Sequence, residues 1–297
     1  MKSKILLLLL STLLIKKSSS LSVASQKKYY KTDPKTVLHA VSELTDNSER
    51  SASSMTVNRK KLLVSLSNKL SCDDDNKPKL ILASRSPRRR EILDMMGLHE
   101  NKHYVVQPSP LDESILQVEL IESKISSIDY TRRLAEAKAY ALADSDAKQN
   151  DDDNNSNCAT KLYLGSDTIV ELDESILEKP KDKTDAKRML NLLSGRQHHV
   201  HTGVALYRLD SGTNDNANRI SLIGSFTDTA CVMFTDLTEE DIDAYIISGE
   251  PMDKAGSYGI QGIGGQFVKT ISGDFFTVMG LPMHKTSQLV ASVLQGE

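Results

Sequence analysis

Apolar residues are spread unevenly along this chain, and their spacing divides it before any motif is considered. An apolar run over residues 5–15 follows Lys2 and Lys4 and precedes Ser22-Val23-Ala24, a small-x-small arrangement like that of a secretory cleavage site. The run is shorter than the roughly 20 apolar residues that cross a bilayer, so no stable membrane span is expected. Residues 26–78 are rich in Ser, Lys, Asn and Asp and hold no sustained apolar period, which predicts a linker or targeting extension. Only 36–44 and 59–70 have the spacing of a short amphipathic helix. At Lys79 the pattern changes, and apolar runs then alternate with turn signals as they do in packed strands and helices. The expected organisation is a leader over 1–25, a polar extension over 26–78 and one globular domain over 79–297. Such a leader suits secretory or organelle targeting; a start codon misplaced upstream of a cytoplasmic enzyme is the alternative.

Within the domain, residues 80–83 read as a short buried strand running into Ser86-Pro87, an N-cap followed by proline at the first helical position. That helix is expected to reach Met96, with Gly97 closing it. A second strand is expected over 104–107 and a helix over 130–143, while 145–157 is too polar to pack and reads as an exposed insertion. Strands over 162–172 and 176–178 suggest a hairpin turning at Asp173-Glu174. A helix over 185–193 ends at Gly195, and two long strands, 200–209 and 220–234, flank a polar loop. Thr238, followed by Glu239, Glu240 and Asp241, starts a further helix with carboxylates at its positive end. Connections of both crossover and hairpin type imply an α/β fold with a mixed twisted sheet flanked by helices.

Composition narrows the function classes. With 39% hydrophobic and 26% charged residues the chain has ordinary globular make-up. A net charge of −3 supplies no basic field for a nucleic-acid backbone, so no nucleic-acid partner is expected, whereas a small phosphorylated ligand needs only a local cationic pocket. Cys72, Cys158 and Cys231 show no CxxC or Cys/His ligand spacing, which suggests neither a disulfide framework nor a zinc site.

Four places could carry chemistry. Ser84-Arg-Ser-Pro-Arg-Arg-Arg90 stands where a strand feeds a helix; free first-turn N–H groups and arginine forks suit phosphate there, although a capped helix with solvated arginines would read the same. Gly165-Ser-Asp-Thr168 puts a carboxylate inside an apolar strand, where it needs a partner, a metal or a structural hydrogen bond. Glu178-Lys-Pro180 puts a lysine at the end of the next strand, and by itself is only a turn. The glycine-rich segment 249–262, with Asp253, Lys254 and Gln261, implies a loop whose backbone comes close to something.

Taken together and in this order, Ser84-x-Ser-Pro-Arg-Arg89, Gly165-x-Asp-Thr168, Glu178-Lys-Pro180, Ser194-Gly-Arg196, Glu250-Pro-Met-Asp-Lys-Ala-Gly256, Tyr258-Gly-Ile-Gln-Gly262 and Gly280-Leu-Pro282 resemble the Maf family of nucleoside triphosphate pyrophosphatases. The resemblance covers the chain from Lys79 onward. It implies two lobes around a nucleotide-binding cleft, a divalent cation such as Mg²⁺ or Mn²⁺, and a homodimer. Carried over residue by residue, it makes Asp167 the proton acceptor, Ser84, Arg89, Lys138 and Lys179 the phosphate contacts, and Glu113 a carboxylate near the metal. Arg88, Thr168 and Gln261 match the branch acting on dTTP and UTP, rather than the one acting on 7-methyl-GTP; Gln261 offers the donor and acceptor that suit a uracil or thymine edge. The implied activity is hydrolysis of a canonical or modified pyrimidine triphosphate to its monophosphate and pyrophosphate. A nucleotide-binding regulator of cell division acting through a partner, and a purine triphosphate pyrophosphatase, are the alternatives. Ser166, where the family usually has alanine, is a mild departure.

Overall fold

Apolar runs between Lys79 and Ser272 build one sheet of seven strands: β1 (Lys79–Leu82), β2 (Tyr104–Val106), β3 (Lys161–Leu172), β4 (Ser175–Leu177), β5 (Gln197–Leu209), β6 (Ile220–Phe234) and β7 (Val268–Ser272). The computed structural model describes residues 66–74, 76–150, 160–210 and 219–294. The leader, the polar extension as far as residue 65, and the loops over 151–159 and 211–218 lie outside the described residues. The helices are α1 (Leu66–Lys69), α2 (Pro87–Met95), α3 (Glu113–Glu122), α4 (Ser127–Asn150), α5 (Lys183–Leu193), α6 (Glu239–Ile247), α7 (Phe275–Met279) and α8 (Met283–Leu294). Among the described residues no helix is long and apolar enough to cross a membrane.

The strand order is β2-β1-β3-β5-β6-β7, with β1 parallel to β2 and β3 and the remaining pairs antiparallel. This is the mixed α/β sheet that the connections imply. β3 organises it. One edge of β3 pairs with β5 along nearly its whole length. The other edge is shared: Lys161 to Leu164 pair with β1, and Val170 to Leu172 pair with β4 across the Asp173-Glu174 turn. Between those two partners the sheet splits, so residues 165–169 have no strand on that side among the described residues. A sheet opening between a parallel and an antiparallel neighbour is where a ligand finds strand ends and loops rather than a closed ladder.

Packing reinforces the split. On one face two apolar clusters lie toward opposite ends of the long strands. The first joins Leu80, Leu82, Leu164 and Leu206 to α2 and α8; the second joins Val170, Val200 and Val232 to α5 and α6. Ser166, Thr168 and Thr202, on the strand segments between them, are polar. The opposite face is covered by α4, which lies unusually close. A Cβ on Gly165 would stand 2.2 Å from the Ala135 carbonyl oxygen, and one on Gly203 would stand 2.3 Å from that of Thr131, so glycine is needed at these two points of closest approach between α4 and the strands.

β7, α7 and α8 were not named from the sequence, and three further stretches differ from its expectations. α4 runs on to Asn150, into the segment expected to be an exposed insertion. There Asp146 is buried and accepts hydrogen bonds from the Tyr163 hydroxyl at 2.8 Å and from Gln107 at 3.2 Å, so one buried carboxylate turns a polar run into a packed turn of helix. α3 was not foreseen, because Ile115, Val118 and Ile121 are exposed while Leu116 and Leu120 are buried, which blurs its apolar period. The packed body also begins before Lys79. Leu66 and Leu70, four residues apart, are buried with Val290 and Leu294 of α8, and Lys69 Nζ donates to the Leu294 carbonyl at 2.7 Å.

Candidate active site

Side chains alternate along β3, and the alternation sorts its functional groups. Gly165 and Asp167 point toward α4, while Ser166 and Thr168 point the other way, toward Gly280 and Arg89. Asp167 is only 6% exposed. Its Oδ1 accepts a 2.6 Å hydrogen bond from Lys138 Nζ of α4, and the same ammonium stands 2.8 Å from Glu113 Oε2 in the first turn of α3. Burial works against the Lys138 ammonium, but the Asp167 and Glu113 carboxylates outweigh it and raise its pKa. Among the described residues Asp167 Oδ2 is buried and has no hydrogen-bond partner, leaving one carboxylate oxygen free.

Glu178 follows β4 on the far side of the split. Its Oε1 accepts from the Tyr130 hydroxyl at 2.7 Å. Burial, and then the nearby Asp167 carboxylate, raise its pKa well above the usual carboxylate range.

The turn from β1 into α2 supplies the opposing charge. Arg89 Nη1 donates to Ser84 Oγ at 2.9 Å, Nη2 to Thr168 Oγ1 at 3.1 Å and Nε to the Gly280 carbonyl at 2.9 Å. Burial lowers the Arg89 pKa to about 10, opposed by Asp167, so the guanidinium stays cationic at neutral pH. Thr168 in turn meets Thr202 Oγ1 at 3.0 Å, and Thr202 donates to the Thr277 carbonyl at 2.8 Å. Ser86 occupies the N-cap position of α2 without a side-chain cap bond; the Ser84 hydroxyl instead accepts from Ser86 N at 3.2 Å.

The glycine-rich loop approaches the protein itself. Glu250 accepts from Ile263 N at 2.9 Å, Gly264 N at 3.2 Å and the Tyr245 hydroxyl at 2.9 Å. A Cβ on Gly262 would stand 2.4 Å from that carboxylate. Tight winding around one buffered acid therefore accounts for much of the glycine content. Arg88 reaches Asp253 at 3.4 Å, Lys254 reaches Asp253 at 2.6 Å, and Gln261 Nε2 donates to Glu91 Oε2 of α2 at 2.7 Å.

These groups surround one cleft of about 580 Å³, a volume in the range of nucleotide-sized ligand sites. Ser84, Arg88, Arg89, Glu113, Lys138, Asp167, Thr168 and Lys179 all line it. Gln261 does not; it is exposed at the rim, next to the lining residue Ile260. Sequence reasoning missed Glu178, which lines the cleft, and Tyr130 and Thr202, which stand behind it and hydrogen-bond Glu178 and Thr168. For Glu178 a signal was present, since it is a carboxylate delivered by an apolar strand, the feature that singled out Asp167. Tyr130 and Thr202 carried none.

Hard oxygen donors with one free carboxylate oxygen suit Mg²⁺ or Mn²⁺. Among the described residues no group of three His, Cys, Asp or Glu side chains stands ready to enclose an ion. The donor set fits a cation that would be held by one or two carboxylates.

Comparison with known proteins agrees with the geometry. A dTTP/UTP pyrophosphatase of Shewanella oneidensis is 44% identical over 215 residues, covering 71% of this chain and 96% of that protein. One of Bacillus cereus is 41% identical over 224 residues, covering 75% and 92%. One of Vibrio cholerae is 43% identical over 212 residues, covering 71% and 96%. Residues 79–293 match the family described as Maf-like protein. A match over most of the chain, with relatives above 40% identity almost end to end, makes this chain a member of the Maf family.

Proposed function

We propose that this protein hydrolyses dTTP and UTP to the monophosphate and pyrophosphate. One observation carries the reading: a buried carboxylate with an unpartnered oxygen, Asp167, shares a cleft with Lys138, Arg89 and Lys179 at the point where the sheet splits. The dTTP/UTP pyrophosphatase name of its relatives supplies the substrate.

In the proposed step a water oxygen adds to the α-phosphorus while Asp167 Oδ2 takes its proton. The bond from the α-phosphorus to the bridging oxygen breaks, and pyrophosphate departs with that oxygen. Lys138 holds the Asp167 carboxylate in place through Oδ1 and lies close enough to offset charge on the α-phosphate. Arg89, fixed by Ser84, Thr168 and the Gly280 carbonyl, presents a pre-organised guanidinium to the same phosphates. Glu113 is the residue that would hold a divalent cation, which when bound would neutralise charge on the phosphates. An aspartate is intrinsically a weak base, so positioning is the larger part of its contribution.

For the base, Arg88, Thr168 and Gln261 are the selecting residues of the proposal. The Gln261 amide has one N–H on Glu91, which leaves its oxygen and a second N–H for the N3–H and O4 of uracil or thymine. Pyrophosphate release across the eight common nucleoside triphosphates, with and without Mg²⁺, tests the reading. Activity highest on dTTP and UTP is expected, and Asp167→Asn should lower kcat by about 10²–10⁴-fold while leaving nucleotide binding intact. Full turnover in that variant, or a preference for purine triphosphates, would overturn it.

A further inference from the structure

Six cationic side chains line the cleft: Arg85, Arg88, Arg89, Lys138, Lys179 and Lys254. Four are committed to the protein. Arg89 is held by Ser84, Thr168 and the Gly280 carbonyl, Lys138 by Asp167 and Glu113, and Arg88 and Lys254 share Asp253. Arg85 and Lys179 have no hydrogen bond or ion pair among the described residues, and both are exposed. Lys179 is already a phosphate contact of the reading above; Arg85 has no role in it.

Depth assigns the two free cations to a different part of the ligand than the committed pair. Lys138 and Arg89 lie with the buried Asp167, where the α-phosphorus must sit if Asp167 is to reach its water. Arg85 and Lys179 are the exposed charges of the same cleft, and the phosphates beyond the α-phosphate are the more highly charged part of a triphosphate. The backbone carrying Arg85 is well placed for this. Ser84 Oγ accepts from Ser86 N, which pins the turn on both sides of Arg85 while its side chain is left without a partner. A guanidinium needs no deprotonation or rearrangement to meet phosphate, and its fork matches two oxygens at once.

We infer that Arg85 is a further phosphate-binding residue, holding the terminal phosphates of the substrate and the pyrophosphate as it leaves. This rests on the cleft being a triphosphate site. Arg90 provides an internal control: it sits five residues on, in the first turn of α2 and outside the cleft lining, paired with Glu100 at 3.6 Å, so its loss removes equal charge without removing the contact.

The experiment compares wild type, Arg85→Ala, Arg85→Lys and Arg90→Ala in steady-state hydrolysis of UTP, in inhibition by pyrophosphate and in calorimetric titration with pyrophosphate. A charge-assisted fork of this kind predicts that Arg85→Ala raises KM for UTP and weakens pyrophosphate binding by about tenfold each, with kcat changed by less than about threefold. Arg85→Lys, which keeps charge but not the fork, should fall between, and Arg90→Ala should change neither constant. Pyrophosphate affinity in Arg85→Ala within about twofold of wild type overturns the inference, and so does an equal loss in Arg90→Ala, which would mean a general field. Were the wild type to hydrolyse no nucleoside triphosphate, the proposed function would fail, and the pyrophosphate titration would still decide the role of Arg85.

Discussion

Replacing Lys138 with methionine tests the centre of the site most directly. The ammonium lies between Asp167 Oδ1 at 2.6 Å and Glu113 Oε2 at 2.8 Å, and Lys138 and Asp167 are 8% and 6% exposed. Methionine keeps most of the length of the side chain and removes the charge together with its hydrogen bonds. Asp167 is then left with neither oxygen hydrogen-bonded, facing Glu113 and with Glu178 nearby. Removing one partner of a buried pair costs about 3–5 kcal/mol, and the 39% exposure of the Glu113 side chain argues for the lower end, about 3 kcal/mol. Two consequences separate this from simple loss of packing. Carboxylates left facing one another bind protons more readily, so the deficit should shrink between pH 7.5 and pH 5. Converting Asp167 to asparagine in the same chain removes the stranded charge, so Lys138→Met/Asp167→Asn should be more stable than the sum of the single variants by about 1–3 kcal/mol. Urea unfolding of the four proteins at both pH values measures all three quantities. A Lys138→Met protein within about 1 kcal/mol of wild type at pH 7.5, or strictly additive variants, would refute the reasoning.

Other expectations follow from burial elsewhere in the fold. His198 is 1% exposed, hydrogen-bonded to the Tyr258 hydroxyl at 2.9 Å, and burial lowers its pKa from 6.5 to about 4. Because the unfolded chain takes up the proton first, this group's contribution is present above pH 6.5 and is lost as pH falls toward 4, on the order of 3 kcal/mol in full. His198→Gln should narrow its stability gap to wild type across that window in melts at pH 7.5, 6 and 5; a constant gap would contradict it. Gly165→Ala places a methyl 2.2 Å from the Ala135 carbonyl, so α4 must retreat, costing about 1–3 kcal/mol and lowering kcat by displacing Lys138 from Asp167. Wild-type turnover in that variant would show that the helix-to-strand distance is unimportant. Leu70→Ala should destabilise by about 2–5 kcal/mol, because Leu70 is 2% exposed against α8; an effect below about 0.5 kcal/mol would restore the linker reading of residues 66–78.

Sequence and tertiary structure contributed different things. The strands β1 to β6, the Asp173-Glu174 hairpin, the helix start at Thr238 and the left-handed Gly97, Gly195 and Gly249 were legible, because period, caps and turns depend on residues a few positions apart. The cationic turn at 84–90 and the acid within β3 were legible for the same reason. What no local pattern held was which charges meet. Lys138 and Asp167 are 29 positions apart, and they pair because two glycines let α4 lie close to the sheet. Among the described residues the β1–β3 and β3–β4 registers leave residues 165–169 unpaired on one edge, and that opening, not the motif, brings Asp167 onto the cleft. Likewise, the Ser84–Arg90 segment supplies four arginines of one chemical type, and only packing separates the one braced beside Thr168 from the one left free in the cleft and the one paired with Glu100. Residue type and spacing along the chain thus determined the elements and the chemistry on offer. Strand register and the distance between helix and sheet, which depend on contacts far apart in sequence, decided which of those groups face the same space.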